Sequence, residues 1–209
     1  YYATVECVAR GLDPMTTDLV VADPERSENT ICLAVSAHLK KRGVKNRCRI
    51  KDIPSSMKYI IAQPRMQLYI DYAAEIYGVF LKYLAPEDIY VYSIDESFLD
   101  VTPYLKMYGL PAKDLAKKIM QDVKETVGTI CTCGIGTNLY LAKIALDLTA
   151  KHADDFIGEL DEYSYREKLW DHKPITDFWR ISNGTEARLK RYGISTMRDI
   201  AQFDEDCLY

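Results

Sequence analysis

Two strand-like runs meet at a pair of acids in residues 89–101, Ile89-Tyr90-Val91-Tyr92-Ser93-Ile94-Asp95-Glu96-Ser97-Phe98-Leu99-Asp100-Val101. Residues 89–94 and 98–101 are mostly β-branched, aromatic or aliphatic, a composition that favours strands. The polar residues between the runs are typical of a turn. The pattern therefore predicts a strand, a turn and a second strand, with two adjacent carboxylates at the junction.

Helices and further strands are predicted on both sides of this junction. Apolar residues at helical spacing predict helices over residues 2–12, 36–42, 64–83, 111–127 and 137–150. Short apolar runs predict strands over residues 19–22, 30–35 and 130–135, and the last quarter is helical and loop-rich. An α+β sheet with helices on one face is the natural architecture. A strand ahead of Tyr1 would bring the order close to the βαββαβ of a ferredoxin-like palm.

The overall charge argues against indiscriminate binding of polyanions. The net charge is −4, no apolar run approaches the roughly 20 residues that span a bilayer, and no signal-peptide pattern opens the chain. A local basic surface is still compatible with this charge, because residues 39–51 contain seven basic residues and no acid. A second basic stretch lies between Arg180 and Arg198. Either stretch is more often a solvated face than a nucleic-acid site.

The cysteines and histidines do not follow the spacing of a metal site. Of six cysteines only Cys131 and Cys133 are close in sequence, and on a strand they would share one face. Without a second pair or a nearby histidine, ordinary reduced cysteines are favoured over a zinc site or a disulfide framework.

The acids Asp95 and Glu96 have two explanations. Two carboxylates held close together repel each other unless a cation lies between them, and Mg²⁺ is a cation that prefers such oxygen ligands. The alternative is an exposed polar turn whose acids only keep it solvated. From composition alone the polar turn is favoured.

Three separate motifs change this balance, because they resemble one protein family. Residues 92–100 are similar to the S-I-D-E-x-(Y/F)-L-D signature of the Y-family (lesion-bypass) DNA polymerases. Residues 134–138 with 141–145 resemble that family's G-I-(S/G)-x-N and L-A-K-(I/L)-A segments, and residues 1–6 match its (F/Y)-(F/Y)-A-x-V-E opening. The motifs occur in the family's order over almost the whole chain, and residues 46–49 are most similar to the UmuC-like branch of Gram-positive bacteria.

The resemblance implies template-directed addition of deoxynucleotides to a primer 3′ end with two Mg²⁺ ions. It makes Asp95 a metal ligand and gives Glu96 the roles of a further ligand and of holding or activating the primer end. The family's other metal-binding aspartate lies on a strand just upstream of Tyr1, outside this sequence, so we expect this chain alone not to complete the metal site.

The resemblance also implies a set of nucleotide-binding residues. Tyr2 would be the steric gate that excludes a 2′-hydroxyl, with Tyr1 beside the sugar and triphosphate. Lys143 would bind the triphosphate, although a lysine there could also be a snorkelling surface residue. Lys40 replaces a basic residue, usually Arg, offered by the fingers, and Ser36 or a backbone amide would compensate for a Tyr that is Ala37 here.

The C-terminal quarter resembles a polymerase thumb that contains a helix-hairpin-helix of the G-I-G-x-x-T form. Such hairpins present backbone N–H groups to a DNA phosphate. The candidate DNA-binding residues lie in the region of that hairpin: Arg180, Ser182, Gly184, Arg188 and Lys190. Arg180 and Ser182 stand where glycine is usual, which could impair close backbone approach. A plain helical subdomain with exposed basic residues is the alternative.

The resemblance divides the chain into palm (residues 1–17, first strand missing), fingers (18–58), palm (59–152) and thumb (153–209), with no little finger domain. The partners it implies are primer–template DNA, a deoxynucleoside triphosphate and, through regions outside this chain, the sliding clamp, in the bacterial cytoplasm at the nucleoid and not at a membrane.

Two other functions remain open at this point. One is a non-catalytic DNA-binding module on a polymerase scaffold, favoured by the departures at Ala37 and Ser182 and by the upstream aspartate that this sequence lacks. The other is a nucleotidyl cyclase, because cyclases also combine a ferredoxin-like palm with acidic metal ligands. The aromatic pair and the basic hairpin have no evident purpose in a cyclase.

Overall fold

The computed structural model describes residues 1–27 and 29–207 and has the predicted α+β composition. Glu28, Leu208 and Tyr209, which fall in the predicted fingers and thumb, lie outside the described residues. The helices are α1 (Tyr2–Val8), α2 (Ala37–Lys41), α3 (Met66–Phe80), α4 (Thr102–Tyr108), α5 (Ala112–Val127), α6 (Leu139–Ile144), α7 (Glu162–Leu169), α8 (Asn183–Lys190) and α9 (Met197–Gln202). The strands are β1 (Leu19–Val21), β2 (Ala34–Val35), β3 (Ile60–Ala62), β4 (Ile89–Val91), β5 (Ser97–Leu99), β6 (Cys133–Gly136) and β7 (Ile157–Leu160).

The described strands form three small sheets. In the first, β1 is central, antiparallel to β2 and parallel to β3. β4 and β5 form an antiparallel pair, and β6 and β7 form a parallel pair. Within the described residues no helix has the length and apolar character needed to cross a bilayer.

The chain forms two compact units. The first contains Tyr1–Met107 and Lys118–Ile130, and the second contains Tyr108–Lys117 and the chain from Cys131 onward. In the first unit α1, β1 and α3 share a core that includes Val5, Leu19 and Tyr69. In the second unit α6, β7 and the segments after them pack around Ile144, Leu160 and Phe178. The division into palm, fingers and thumb stays a prediction.

Several predicted elements differ from the observed ones. The first helix ends at Val8 rather than residue 12, because the chain turns through Gly11 in the left-handed conformation (φ 68°). The strand predicted over residues 30–35 shortens to β2, with only an isolated bridge between Ile31 and Arg49 ahead of it. The helix predicted over residues 137–150 becomes α6 followed by a π-helical turn, Ala145–Thr149.

Candidate active site

The two predicted site acids lie at the tip of the β4–β5 hairpin. Val91 pairs with Ser97, and the Glu96 carbonyl accepts hydrogen bonds from the Tyr92 and Ser93 amides, both at 3.0 Å. These bonds close a tight loop in which Asp95 is exposed and Glu96 is half-buried. The predicted turn is therefore confirmed, and it presents the Asp95 carboxylate to solvent.

An aromatic pair lies beside this hairpin in the same unit. Tyr1 and Tyr2 stand at the start of α1 with their ring centroids 5.6 Å apart, and Ile94 packs with them against the same core cluster. Burial raises the pKa of the Tyr1 hydroxyl, and the negative charge of Asp95 raises it further. The structure therefore brings together the aromatic pair and the acidic loop, although they are about 90 residues apart in sequence.

A buried glutamate holds α1 to α3 behind the aromatic pair. Glu6 is fully buried and accepts hydrogen bonds from Arg65 Nε (3.1 Å), Arg65 Nη2 (2.7 Å), the Tyr69 hydroxyl (2.7 Å) and Arg10. A buried carboxylate needs such a complete set of donors, because an unpaired charge in the interior is costly. Sequence reasoning assigned no role to Glu6. A usable signal was present in the sequence, because Glu6 lies within the apolar face of the predicted first helix.

Lys143 is a buried, ion-paired residue of the second unit. Asn138 caps the start of α6 by accepting the Leu141 amide hydrogen at 2.9 Å. Lys143 is 6% exposed, and its Nζ lies 3.2 Å from Asp147, which also pairs with Lys151 at 3.3 Å. The alternative of a snorkelling surface lysine is therefore wrong. Asp147 was not predicted, although its spacing of four residues from both Lys143 and Lys151 was a usable signal on the predicted helix.

The glycines of the G-I-G motif serve close packing in this unit. A Cβ at Gly134 would collide with the backbone of Ala142 and Leu146, and one at Gly136 would collide with the backbone of Leu141 and Ala142. A helix can lie this close to a strand only where the strand lacks side chains. The motif therefore places α6 directly on β6.

The predicted fingers residues differ in their exposure. Ser36 is 3% exposed, and its hydroxyl oxygen accepts the amide hydrogens of Leu39 and Leu19, so it caps α2 and ties it to β1. Lys40 is exposed on α2. All seven basic residues of segment 39–51 are exposed, and Arg42 pairs with Asp18.

The predicted thumb residues are all exposed in the second unit: Arg180, Ser182, Gly184, Arg188 and Lys190. Arg180 has φ 71°, so the backbone adopts a left-handed conformation that glycine favours even though arginine is present. Its guanidinium lies over the Trp179 ring, 4.9 Å from the centroid. Lys190 pairs with Glu186 at 3.0 Å. The backbone conformation that glycine favours is therefore kept at Arg180, and the expectation that Arg180 and Ser182 impair close backbone approach to a phosphate stays a prediction.

The acidic loop fits a hard divalent cation only in part. Asp95 offers exposed carboxylate oxygens, and Ser93 Oγ donates to one of them at 3.0 Å, which orients the group. Over the described part of the chain, no three histidine, cysteine, aspartate or glutamate side chains cluster closely enough to hold a metal ion. Asp95 and Glu96 are suitable as two ligands of a site that requires further oxygen donors.

The sequence and the fold match those of one known protein family. A model of the impB/mucB/samB family matches residues 1–147. The chain is 34% identical over 209 residues to a "Putative UV-damage repair protein UvrX" of Bacillus subtilis, covering all of this chain and 49% of that protein. It is 31% identical to a "DNA polymerase IV 2" of the same organism, again covering all of this chain and 50% of that protein.

A solved structure, a Y-family DNA polymerase chimera of Dbh and Dpo4, superposes with a TM-score of 0.82 at 27% identity, over all of this chain and 59% of that one. The chain therefore belongs to the impB/mucB/samB family. The Y-family resemblance and the predicted fold class are confirmed. The chain spans about half the length of the curated relatives that it matches.

Proposed function

We propose that the chain is the catalytic part of a lesion-bypass DNA polymerase, which adds deoxynucleotides to a primer 3′ end opposite a DNA template. The observation that carries the proposal is the pairing of the exposed Asp95 loop with Tyr1 and Tyr2 in one unit. A polymerase must hold the nucleotide sugar close to the metal-bound phosphates, so an aromatic surface beside a carboxylate pair meets its requirement.

In this proposal Asp95 and Glu96 hold Mg²⁺ through their carboxylate oxygens. When bound, the Mg²⁺ ions favour ionisation of the primer hydroxyl and neutralise charge on the phosphates. Ser93 keeps the Asp95 carboxylate oriented through its 3.0 Å hydrogen bond. Glu96, which is half-buried, also holds the primer end.

The proposed nucleotide-binding residues act in two ways, by packing against the nucleotide and by attracting its phosphates. Tyr2 packs against the sugar as the steric gate, and Tyr1 lies beside the sugar and triphosphate. Lys143 and Lys40 supply positive charge to the phosphates. Because Ser36 is buried as the cap of α2, it acts indirectly by fixing the position of Lys40, whose amide donates to the Ser36 carbonyl at 3.0 Å.

The helix α8 and the residues just before it are proposed to bind the DNA backbone. Ser182 and Gly184, at the start of α8, leave the backbone accessible, since both are exposed and a Cβ at Gly184 would meet nothing closer than 3.8 Å. Arg180, Arg188 and Lys190 add positive charge, which strengthens contact with phosphates without sequence preference. The partners would be primer–template DNA and a deoxynucleoside triphosphate, in the bacterial cytoplasm at the nucleoid, with the sliding clamp reached through other regions.

Single-nucleotide primer extension with Mg²⁺ tests the proposal. The full-length gene product is compared with Asp95→Asn, which removes the charge while keeping the shape of the side chain. Loss of a metal ligand should reduce extension by at least about a hundredfold. Asp71→Asn, an exposed aspartate of α3, is the matched control and should leave the rate unchanged. Absence of extension by the wild-type protein despite DNA binding would instead identify a non-catalytic DNA-binding module.

A further inference from the structure

Tyr69 of α3 lies directly behind the proposed gate residue. The ring centroids of Tyr69 and Tyr2 are 4.9 Å apart, with an angle of 47° between the ring planes. Tyr69 is fully buried, whereas Tyr2 is half-buried. The gate ring therefore rests on a side chain that solvent does not reach.

Tyr69 is itself held in place at both ends. Its hydroxyl donates to Glu6 Oε1 at 2.7 Å, and its backbone carbonyl accepts the Tyr1 hydroxyl hydrogen at 2.5 Å. Glu6 is in turn held by two hydrogen bonds from Arg65. A displacement of the Tyr69 ring would break a charge-assisted hydrogen bond at a fully buried carboxylate, which is costly.

A steric gate excludes an extra hydroxyl group only if the gate ring cannot retreat. Close-packed interiors resist displacement, and an active-site side chain keeps its geometry when the residues behind it are fixed. Tyr69 provides such a support, because its ring touches the gate and both its hydroxyl and its carbonyl are bonded. Hydrogen bonds join this support to Tyr1 and Glu6, which belong to the protein, so the support does not depend on the nucleotide.

We propose that Tyr69 is a positioning residue that fixes the Tyr2 ring and so determines how strictly the site distinguishes deoxyribonucleotides from ribonucleotides. This inference rests on the proposed function, since it assumes that Tyr2 meets the nucleotide sugar. Tyr69 does not touch the substrate and acts only through Tyr2. Sugar selectivity is therefore a property of the Tyr2–Tyr69 pair and not of Tyr2 alone.

The test measures kcat/KM for a deoxynucleotide and for the matching ribonucleotide in the full-length gene product. Tyr69→Leu removes the supporting ring and should lower the deoxy-to-ribo ratio by about tenfold or more, mainly through faster ribonucleotide insertion. Tyr69→Met fills similar space with a flexible side chain and should also lower the deoxy-to-ribo ratio. It replaces the Leu variant in the test if that variant does not fold. Tyr69→Phe keeps the ring and removes only its hydrogen bond to Glu6, so it should lower the ratio less than Tyr69→Leu does.

A matched control separates selectivity from stability. Phe178→Leu removes a fully buried ring in the other unit, so it should lower the melting temperature without changing the ratio. In a Tyr2→Ala background, Tyr69→Leu should add no further loss of selectivity, because the support then has nothing to hold.

The outcomes are distinguishable. If the wild-type protein does not extend a primer, the proposed function fails and the inference fails with it. If extension occurs but Tyr2→Ala leaves the ratio unchanged, the assignment of Tyr2 as the gate fails, and the inference fails with that assignment. If Tyr2→Ala lowers the ratio but Tyr69→Leu and Tyr69→Met behave like Phe178→Leu, the inference alone is overturned.

Discussion

Replacing Glu6 with glutamine should destabilise the first unit strongly. Glu6 is fully buried, and its carboxylate accepts hydrogen bonds from Arg10, Arg65 and Tyr69. Glutamine keeps one oxygen that can accept from Tyr69. It removes the negative charge, however, and directs an NH₂ group toward a guanidinium, so the N–H groups of Arg10 or Arg65 lose the oxygen that accepted their hydrogen bonds.

The size of the effect follows from the burial of the partners. Removing one member of a fully buried ion pair costs about 3–5 kcal/mol. Here the Arg10 and Arg65 side chains keep 32% and 45% exposure, so water can partly solvate them after the change. We therefore expect a loss near the lower limit, about 3 kcal/mol, which corresponds to a fall in melting temperature of about 6–12 °C for a chain of this size.

Thermal unfolding of the wild-type and variant proteins measures this loss. Glu75→Gln makes the same chemical change at an exposed position of α3 and should alter the free energy of unfolding by no more than about 0.5 kcal/mol. Equal melting temperatures for Glu6→Gln and Glu75→Gln would refute the reasoning, because they would show that the buried carboxylate contributes no more than an exposed one.

Three further predictions concern backbone strain, close packing and pH. Arg180→Gly should be more stable than Arg180→Ala by about 1 kcal/mol in chemical denaturation, because both variants lose the stacking on Trp179 and only glycine relieves the left-handed conformation. Gly136→Ala should cost about 3 kcal/mol or more by the same measurement, since its Cβ meets backbone, whereas Gly184→Ala should be neutral or slightly stabilising. Hydrogen bonds from the Ser195 and Thr196 amides lower the pKa of the Asp199 carboxyl below 3.8. The ionised carboxylate therefore contributes fully to the stability of the folded protein well above pH 3.8, and this contribution is lost as the pH falls through the folded-state pKa. The difference in unfolding free energy between wild type and Asp199→Asn should therefore shrink in acid.

The elements predicted correctly are those whose signal is local. The helix α3 shows a broad apolar face over four turns, and the β4–β5 hairpin joins two strand-like runs through a polar turn. The helix predicted from residue 137 begins close to the observed start of α6, where Asn138 is the N-cap. These patterns depend only on neighbours along the chain, so the sequence is sufficient to find them.

The missed strands depend on distant pairing. β3 has only three residues and exists because it pairs in parallel with β1, about 40 residues earlier. β7 contains Gly158, which suggests a break in a strand, yet a Cβ there would collide with Thr149 and Ala145. Neither strand shows a period-2 pattern long enough to recognise. The helix α4, by contrast, carried a usable signal that was overlooked, a proline in its first turn.

The motif residues that revealed the family separate into two physical groups. Glu6 and Gly136 are packed among protein atoms and hold helices in place, whereas Asp95 is exposed and free to meet a ligand. A motif match alone does not distinguish these groups, because both the supporting and the reacting residues recur in it. Burial and hydrogen-bond partners do distinguish them, which explains why the sequence identified the acidic loop but gave no role to Glu6.

Lys143 belongs to neither group, and this constrains what it can bind. It is buried like a supporting residue, and its ammonium group is ion-paired with Asp147, which is shared with Lys151. If Lys143 binds a phosphate group, as the proposed function requires, that ligand competes with Asp147 for the ammonium group. A nucleoside triphosphate carries several negative charges and competes more strongly than a monoanion does. Within the proposed function, competition with Asp147 therefore favours a highly charged phosphate ligand over small anions at Lys143.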